Sequence, residues 1–519
     1  MQNQRRQTSP ARLPRKASAV ILALGMLASA CTGGPAEETT APPSVLRVVQ
    51  SVAVKSFDQN VDFGLYARRV TESVHEKLAT FAYSSGQYEL VPQLATRWEM
   101  IEPRRWRFTL REGVKFTNGQ AFTDKDVVDS FDSLIGDPKS VYQPFLGSYK
   151  MERVDDLHVD ILTKTPNLAL VPIHVSMLQI LPSDTIAKIG RPGEGDKPVG
   201  TGPYMVTKFE KGVQVDLKAN PHYWGDLPSI DKISVRFITE GATRVSELSS
   251  GGADIVDSVA PVLESRVTAL PDAELRKSPT MSKYFLAFNT VSAPGSDLAL
   301  RRAINYAIDR REIIALFGGN ATPLMGAFAP GEQGYDKSYT SFEYDPDRAK
   351  QILADAGLTN PRITLGHSIN ELPEDSDIAE VVQAQLERVG ITVKLDGGPW
   401  SVKSQRFMQG EQPGMFLIQS GAVYPSPDFT FRVHMGRDTT YGKAYGSPKV
   451  DELMAKASTT ADAAERTKIF QAMQHIGIDE SVFWAPLVVH EDVWGVNKNL
   501  SWTPEPMQMY GFARMSWKS

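Results

Sequence analysis

The protein is a chain of 519 residues with a formal net charge of -5 and a single cysteine. Because one hydrophobic core seldom serves so long a chain, we expect two or three packed units. The nearly balanced charge and the lack of a basic patch argue against nucleic-acid binding. One cysteine excludes both an internal disulfide and a cysteine-based zinc cluster.

The N-terminal segment is typical of an export signal. Residues 1–16 contain five basic and no acidic side chains, and residues 17–30 are uncharged, mostly apolar and end in small residues. This pattern indicates a secretory signal, and the apolar run is too short to cross a bilayer as a helix. We therefore predict a signal peptide over 1–30 rather than a buried helix of the fold. Arg5 and Arg6 could indicate export by the twin-arginine route. The residues that follow them do not fit the motif of that route.

Cys31 directly follows Ala28, Ser29 and Ala30. This order resembles the bacterial lipobox, with Ala28 where that motif usually has leucine. The resemblance implies cleavage before Cys31 and lipid attachment to its thiol, which would hold the protein on a membrane. Residues 32–44 are rich in Gly, Pro, Thr and Ser, as flexible linkers are. We therefore predict a lipid-anchored tether over 31–44.

The following chain mixes short strands with capped helices. Residues 45–51, 106–111, 233–238 and 391–395 have the composition or alternation of strands. Residues 123–126 form a capping-box pattern, and one continuous helix is predicted over about 297–318. Its inward face is predicted to carry Leu300, Ile304, Ala307 and Ile308. Further helices are expected to begin near 345, 376, 447 and 461.

The regular alternation of strands and helices over 285–480 predicts an α/β lobe with helices on the faces of a sheet. Residues 45–285 are richer in strands and turns, so we expect a second lobe there with an inserted, mostly β subdomain.

No catalytic or metal-binding pattern is complete. His75 and Glu76 lack the second histidine of the helical zinc motif, residues 366–370 lack the second glycine of a nucleophile elbow, and residues 190–198 lack the spacing of a phosphate loop. Caps, turns and packing explain such fragments. We predict no catalytic residue, no metal site and no cofactor, although a dispersed catalytic site leaves no motif.

Several segments, in order, resemble those of one protein family. They are residues 90–100, 106–131, 197–212, 217–225, 288–290, 334–336 and 344–357. They span nearly all of the chain after the tether and are similar to the family 5 extracellular solute-binding proteins, which include dipeptide-, oligopeptide- and nickel-binding proteins of ATP-driven importers. The resemblance implies a two-lobed, periplasmic-binding-protein-like α/β fold of type II, cluster C, with an additional inserted subdomain.

The resemblance also implies how the chain is divided. Lobe I is expected to comprise residues 45–85, 198–287 and 490–519, interrupted by the inserted subdomain over 86–197, and lobe II residues 288–489. Crossings near 287 and 489 would form a hinge, with ligand enclosed between the lobes.

The expected partners are a small-molecule or peptide ligand and the permease and ATPase subunits of an importer. A monomer is expected, anchored at the outer face of the cytoplasmic membrane in the periplasmic space.

Two family segments have a local physical interpretation. Gly200 and Gly202 allow the backbone to turn and to approach other backbone segments closely. Pro203 restricts the backbone conformation where the chain leaves the turn. Tyr223 and Trp224 are expected to pack in the scaffold rather than to contact ligand.

The ligand site is predicted from three regions that face the cleft in this family. The loop after the first strand supplies Ser56, Phe57 and Asp58, and Trp400 follows the strand at 391–395. The third region supplies Gly421, Ala422, Val423, Tyr424 and Asp428, with Arg406 nearby as a possible clamp for a carboxylate or phosphate.

Val423 departs from the family pattern, because peptide binders typically have an aspartate there that pairs with the amino terminus of the peptide. A buried ammonium without a partner is strongly disfavoured. Either Asp428 replaces that aspartate, or free peptide amino termini are not bound in the usual way, or the alignment is shifted by several residues. The predicted ligand is a peptide or peptide-like solute. The alternatives are an oligosaccharide, an opine-like compound or a metal chelate on the same fold, and a secreted envelope hydrolase or assembly factor.

Overall fold

The computed structural model describes residues 44–518 except 139, 370, 422, 423 and 438. The predicted signal peptide, Cys31 and nearly all of the tether lie outside the described residues, as do the candidate site residues Ala422 and Val423. Within the described ranges, no helix is long and apolar enough to cross a membrane.

Strand β1 (Leu46–Gln50) and helix α1 (Leu65–Thr71) open the described chain. The strands that follow are β2 (Ala79–Ser84), β3 (Gln87–Pro92), β4 (Ala95–Glu102), β5 (Arg105–Leu110), β6 (Tyr149–Asp155) and β7 (His158–Thr163). The helices among them and after them are α2 (Asp124–Ile135), α3 (Gln143–Leu146), α4 (Val171–Val175) and α5 (Ser183–Asp196). Strands β4, β5, β7 and β6 form a four-stranded sheet in that order. The apolar side chains of this segment share one core, which Tyr424 joins from much later in the chain.

The next elements lead to the centre of the main sheet. They are β8 (Tyr204–Glu210), β9 (Gln214–Ala219), β10 (Lys232–Phe237), α6 (Gly241–Ser249), β11 (Ile255–Val256), α7 (Pro261–Thr268) and β12 (Ala273–Phe288).

Helices and strands alternate in the remaining chain. They are α8 (Leu298–Ala307), α9 (Arg310–Leu316), β13 (Ala321–Pro323), α10 (Pro346–Asp355), β14 (Arg362–Ser368), α11 (Asp375–Glu387), β15 (Thr392–Gly398), α12 (Trp400–Met408), β16 (Met415–Ser420), α13 (Pro427–His434), α14 (Pro448–Ser458), α15 (Ala463–His475), β17 (Trp484–Asn497), β18 (Leu500–Ser501) and β19 (Ser516–Trp517).

An 11-stranded mixed sheet runs through the molecule in the order β15-β14-β16-β12-β17-β11-β1-β10-β9-β8, with β13 paired to β17 off this path. At its centre β12 and β17 pair in antiparallel fashion, and their register shifts between Pro279 and Lys283. One set of apolar cores involves the strands on the β1 side of this shift, and another involves the strands on the β16 side. The central strand pair therefore joins two α/β cores. The exact lobe limits at 287 and 489 stay a prediction.

Most local expectations agree with the structure, and one is wrong. The capping-box pattern is present, because the Asp126 carboxylate accepts the backbone N–H of Thr123 at 2.8 Å. The helix predicted over 297–318 is instead two helices, because Ile308 is extended and Asp309 caps α9 by accepting the N–H of Arg311. The predicted inward face is nevertheless buried, since both helices pack on the same core.

Gly200 and Gly202 lie directly against other backbone, as expected. A Cβ atom built on Gly200 would be 1.9 Å from the carbonyl oxygen of Val74, and one on Gly202 would be 2.6 Å from that of Ser73. Only glycine leaves room for this approach. The motif therefore holds the chain before β8 against the chain that follows α1.

Candidate ligand-binding site

A cavity of about 510 Å³ lies where β12 and β17 change register. Its wall is formed by residues 63–66, 68, 258–261, 281–282, 317, 320, 371–374, 419, 421, 429, 490–493 and 506–508. The wall thus draws on α1 and the loop before α7 on one side, and on the loop before α11 and the end of β16 on the other. Small-molecule sites typically have volumes of about 300–1,000 Å³, so the cavity is large enough to hold a small-molecule solute.

A buried arginine behind the wall fixes its shape. Arg69 donates to Asp257 at 2.9 Å and to Asp492 at 2.7 Å, and its Nε donates to the carbonyl oxygen of Gln508 at 2.9 Å. Its guanidinium also lies 4.5 Å from the centre of the Trp494 ring. Burial alone lowers the pKa of Arg69, but the attraction of Asp492 and Asp257 outweighs it and raises that pKa above its ordinary value. Arg69 therefore ties helix α1 to strand β17 and to the 506–508 loop.

His490 is a polar residue of the wall with unused hydrogen-bonding capacity. It is 6% exposed, and its ring stacks on Phe317 at 5.7 Å. Burial lowers its pKa, although a hydrogen bond to the backbone of Ser282 and the charge of Asp492 act in the opposite direction. The imidazole is therefore neutral at pH 7, and among the described residues its Nδ1 atom has no hydrogen-bond partner.

Four carboxylates lie in the wall, at Glu371, Glu374, Glu491 and Asp492, against the single guanidinium of Arg68. Burial, together with the neighbouring Asp377, raises the pKa of Glu374. The wall is therefore acidic.

Three non-glycine residues of the wall have left-handed backbone conformations. Their φ angles are 49° at Ser258, 56° at Glu374 and 62° at Gln508. Each such conformation costs on the order of 1 kcal/mol and persists only where the surroundings enforce it. Strained backbone of this kind is concentrated at ligand sites, which supports the assignment of this cavity.

The predicted contacts from the first loop are placed elsewhere. Asp58 pairs with Arg191 at 3.0 Å, and the Ser56 hydroxyl accepts the N–H of Asp58 at 3.1 Å. Phe57 is 1% exposed and packs in the core against Phe209. All three side chains are thus used by the scaffold, and Asp58 is committed to Arg191 because a buried charge that loses its partner is strongly destabilising.

Trp400 and Arg406 also lie outside the wall. Trp400 begins α12 and packs on Phe416, with the ring centres 5.5 Å apart. Its backbone N–H donates to Glu371 at 2.9 Å, so it approaches the cavity only through that carboxylate. Arg406 has a 45% exposed side chain, 3.8 Å from Asp396.

The third predicted region is divided. Gly421 lies in the wall, whereas Tyr424 and Asp428 are buried beside the core of the four-stranded sheet. Asp428 accepts hydrogen bonds from His174 at 2.7 Å and from Tyr424 at 3.0 Å. These hydrogen bonds all reach Oδ2, and Oδ1 has no hydrogen-bond partner among the described residues. Asp428 lies outside the cavity wall, and its role as a substitute for the missing aspartate at 423 stays a prediction.

Sequence reasoning missed the charged residues of the wall, although two signals were present. His490, Glu491 and Asp492 interrupt an otherwise apolar strand, and polar residues inside a buried strand are costly unless they have a role. Glu371 and Glu374 belong to an acid-rich stretch before α11. A solvent-exposed turn has the same composition, so this signal does not distinguish a turn from a ligand site. Arg69 carried no comparable signal, because its partners lie far away along the chain.

Comparison with known proteins gives a consistent result. The family model for bacterial extracellular solute-binding proteins, family 5 (middle), matches residues 89–441. The glutathione-binding protein GsiB of Escherichia coli K12 is 30% identical over 408 residues, which cover 76% of this chain and 79% of that protein. The di/tripeptide-binding protein 2 of Pseudomonas aeruginosa UCBPP-PA14 is 26% identical over 92% of this chain and 95% of its own.

Solved structures have the same fold. The binding protein DppA of Helicobacter pylori, in complex with the peptide STSA, superposes with a TM-score of 0.80 at 24% identity, covering 92% of this chain and 98% of that one. The binding protein AgaA of A. tumefaciens R10, in complex with agropinic acid, superposes with a TM-score of 0.79 at 26% identity, covering 92% and 99%. These likenesses confirm the predicted two-lobed α/β fold.

Proposed function

The chain belongs to the bacterial extracellular solute-binding proteins of family 5, and on this premise we propose that it captures a peptide or peptide-like solute in the cavity at the β12–β17 junction. Proteins of this family are the solute-binding components of ATP-driven importers, and their role is capture and delivery rather than catalysis. The observation that carries the proposal is the position of the cavity, whose wall includes Phe317 from a core on the β16 side and Val259 and Val493 from a core on the β1 side.

Closure around the solute follows from this position. The two cores are connected through β12 and β17, so a solute that contacts both would bind the closed arrangement more tightly than an open one. Such a ligand shifts the equilibrium toward closure by the difference between its affinities for the two states. We assign residues 45–85, 198–287 and 490–519 to lobe I and residues 288–489 to lobe II.

Gly421→Trp tests the site directly. Among the described residues, a Cβ atom built on Gly421 meets just the Ser282 hydroxyl, at 3.4 Å, an ordinary van der Waals distance, so a side chain can start from this wall position without a clash at Cβ. We expect wild-type protein to be stabilised by a mixture of di- and tripeptides, by about 2.7 kcal/mol when free ligand is 100-fold above Kd. Gly421→Trp is expected to lose this stabilisation, which thermal unfolding and titration calorimetry would measure.

The matched control is Val262→Trp, because Val262 is 81% exposed and outside the cavity wall. It should behave as wild type. Equal peptide binding by Gly421→Trp and wild type would place the site elsewhere.

A non-peptide solute is the second candidate. Two observations favour it: Val423 stands where peptide binders typically have aspartate, and the similar protein AgaA was solved with agropinic acid. Native mass spectrometry of protein purified without added ligand separates the candidates. A ladder of short-peptide masses supports the first, and a single non-peptide mass supports the second.

The setting we propose follows from the family and the N-terminal sequence. The protein acts outside the cytoplasm, as extracellular solute-binding proteins do. Lipid on Cys31 would keep a monomer at the outer face of the membrane, and the tether would keep it at high effective concentration near a membrane permease.

A further inference from the structure

We infer that the cavity selects solutes that carry a positive charge. The inference rests on the proposed function, because it concerns the same cavity, and it adds the chemical class of the solute. It starts from the four carboxylates and one guanidinium of the wall.

Two of these five groups already have ionic partners within the protein. Asp492 accepts from Arg69 at 2.7 Å and from the Gln508 amide at 2.8 Å. Arg68 donates from Nε to Glu72 at 3.0 Å, and its side chain is only 9% exposed. A carboxylate-bearing solute that approached Arg68 would therefore compete with Glu72 for it.

The other three carboxylates remain uncompensated. Among the described residues, Glu371, Glu374 and Glu491 form no ion pair within 4.0 Å. Glu371 accepts the neutral backbone N–H of Trp400, which does not compensate its charge. Their field inside a concave, partly apolar wall attracts cations and repels anions.

His490 supplies independent evidence for a donor-bearing ligand. His490 is 6% exposed. Its Nδ1 atom is buried and has no hydrogen-bond partner among the described residues. A neutral imidazole carries one N–H, and the ring donates a hydrogen bond to the backbone of Ser282. Because Nδ1 has no partner within the described chain, that N–H is on Nε2, and Nδ1 is left as an acceptor. An ammonium N–H satisfies it, whereas a carboxylate leaves it unpaired and adds repulsion from the glutamates.

The aromatic residues of the wall suit the same class of solute. Tyr66 and Phe317 also line the wall. A cation within about 6 Å of an aromatic ring face is attracted by the ring. Carboxylates, a neutral imidazole acceptor and aromatic rings together form a site for an amine or guanidinium group.

Titration calorimetry of the wild-type protein at pH 7.5 with Ala-Lys-Ala, Ala-Ala-Ala and Ala-Glu-Ala tests the inference. We expect Ala-Lys-Ala to bind at least about tenfold more tightly than Ala-Ala-Ala, since hydrogen bonds to charged groups contribute more than neutral ones. Ala-Glu-Ala should bind more weakly than Ala-Ala-Ala. The preference should shrink as salt is raised, because ions screen partly exposed charges.

Charge-neutral variants locate the effect. Glu371→Gln and Glu491→Gln keep the shape and the acceptor oxygen but remove the charge, so each should reduce the preference for Ala-Lys-Ala over Ala-Ala-Ala several-fold. Glu380→Gln is the control, because Glu380 is exposed on α11 and lies outside the wall. It should leave the preference as in wild type.

The outcomes separate this inference from the proposed function. Equal binding of all three tripeptides would overturn the charge preference while leaving peptide capture intact. Binding of putrescine without binding of any tripeptide would support the charge preference and overturn peptide capture. Tighter binding of Ala-Glu-Ala than of Ala-Lys-Ala would sink the inference.

Discussion

Glu76 is a buried carboxylate whose ionisation the fold opposes. It is 0% exposed, and it accepts hydrogen bonds from Trp224 at 2.8 Å and from Tyr223 at 3.4 Å. Burial raises its pKa to about 7, although these hydrogen bonds act in the opposite direction. The residue that resembles a fragment of a zinc motif is thus a scaffold residue, and it explains why Tyr223 and Trp224 pack where they do.

Glu76→Gln should flatten part of the pH dependence of stability. Because the pKa of Glu76 is higher in the folded state than its ordinary 4.5, its contribution is fully present below about pH 4.5 and is lost as pH rises through about 7. Glutamine stays neutral, so the variant should gain on wild type between pH 5 and pH 8.5, by on the order of 2 kcal/mol. Urea unfolding at the two pH values measures this. Parallel pH profiles would contradict the assignment.

At the scale of elements, a hydrogen-bonded chain joins α4 to α13. Asn167 donates to the Tyr149 hydroxyl at 3.1 Å, and that hydroxyl is 2.5 Å from Nδ1 of His174. Nε2 of His174 donates to Asp428, which also accepts from Arg432 at 3.3 Å. Burial alone would raise the pKa of Asp428, but His174 and Arg432 lower it to about 2. The segment around the four-stranded sheet is therefore fastened to the helix that follows β16.

Asp428→Asn should destabilise the protein at pH 7 by about 2–4 kcal/mol, because it leaves buried donors with a weaker acceptor. The depressed pKa of Asp428 means that its contribution is present above about pH 4 and is lost as pH falls toward 2. The difference from wild type should therefore narrow at acid pH, as measured by urea unfolding.

Asp451→Asn provides the comparison, since its pair with Arg437 is partly exposed, with 61% of the Arg437 side chain and 34% of the Asp451 side chain accessible. Such surface pairs contribute about 0–1 kcal/mol. If both variants lost equal stability at pH 7, the buried chain would have no special role.

At the scale of the whole molecule, location and capture are separate properties. Cys31 lies outside the described residues, and the cavity is formed entirely by residues after 62. Changing the anchor should therefore leave the binding site untouched.

Cys31→Ala should release the protein from membranes, because the thiol is the only predicted attachment point for lipid. Fractionation of cells into membrane and soluble extracellular or periplasmic material measures the release. Purified Cys31→Ala protein should bind solute as the wild-type protein does, which serves as the control for folding. Unchanged membrane retention would count against lipidation.

The sequence by itself determined the α/β class, the starts of several helices and the glycine contacts. Each depends on residues a few positions apart. Asp126 accepts the backbone N–H of Thr123 at the start of α2. Helical periodicity correctly predicted that Leu300 and Ile304 are buried, although the helix ends before Ile308. The ordered family segments extended this local information to the two-lobed fold.

Only the tertiary structure decided which polar side chains line the cavity. Arg69 meets Asp257 and Asp492 across 188 and 423 positions of chain, and Glu371 and Glu491 share one cavity wall although they lie in different elements. The same packing turned Asp58 inward to Arg191. Local patterns report which face of an element is apolar, whereas the meeting of distant charges is set by how the elements pack together.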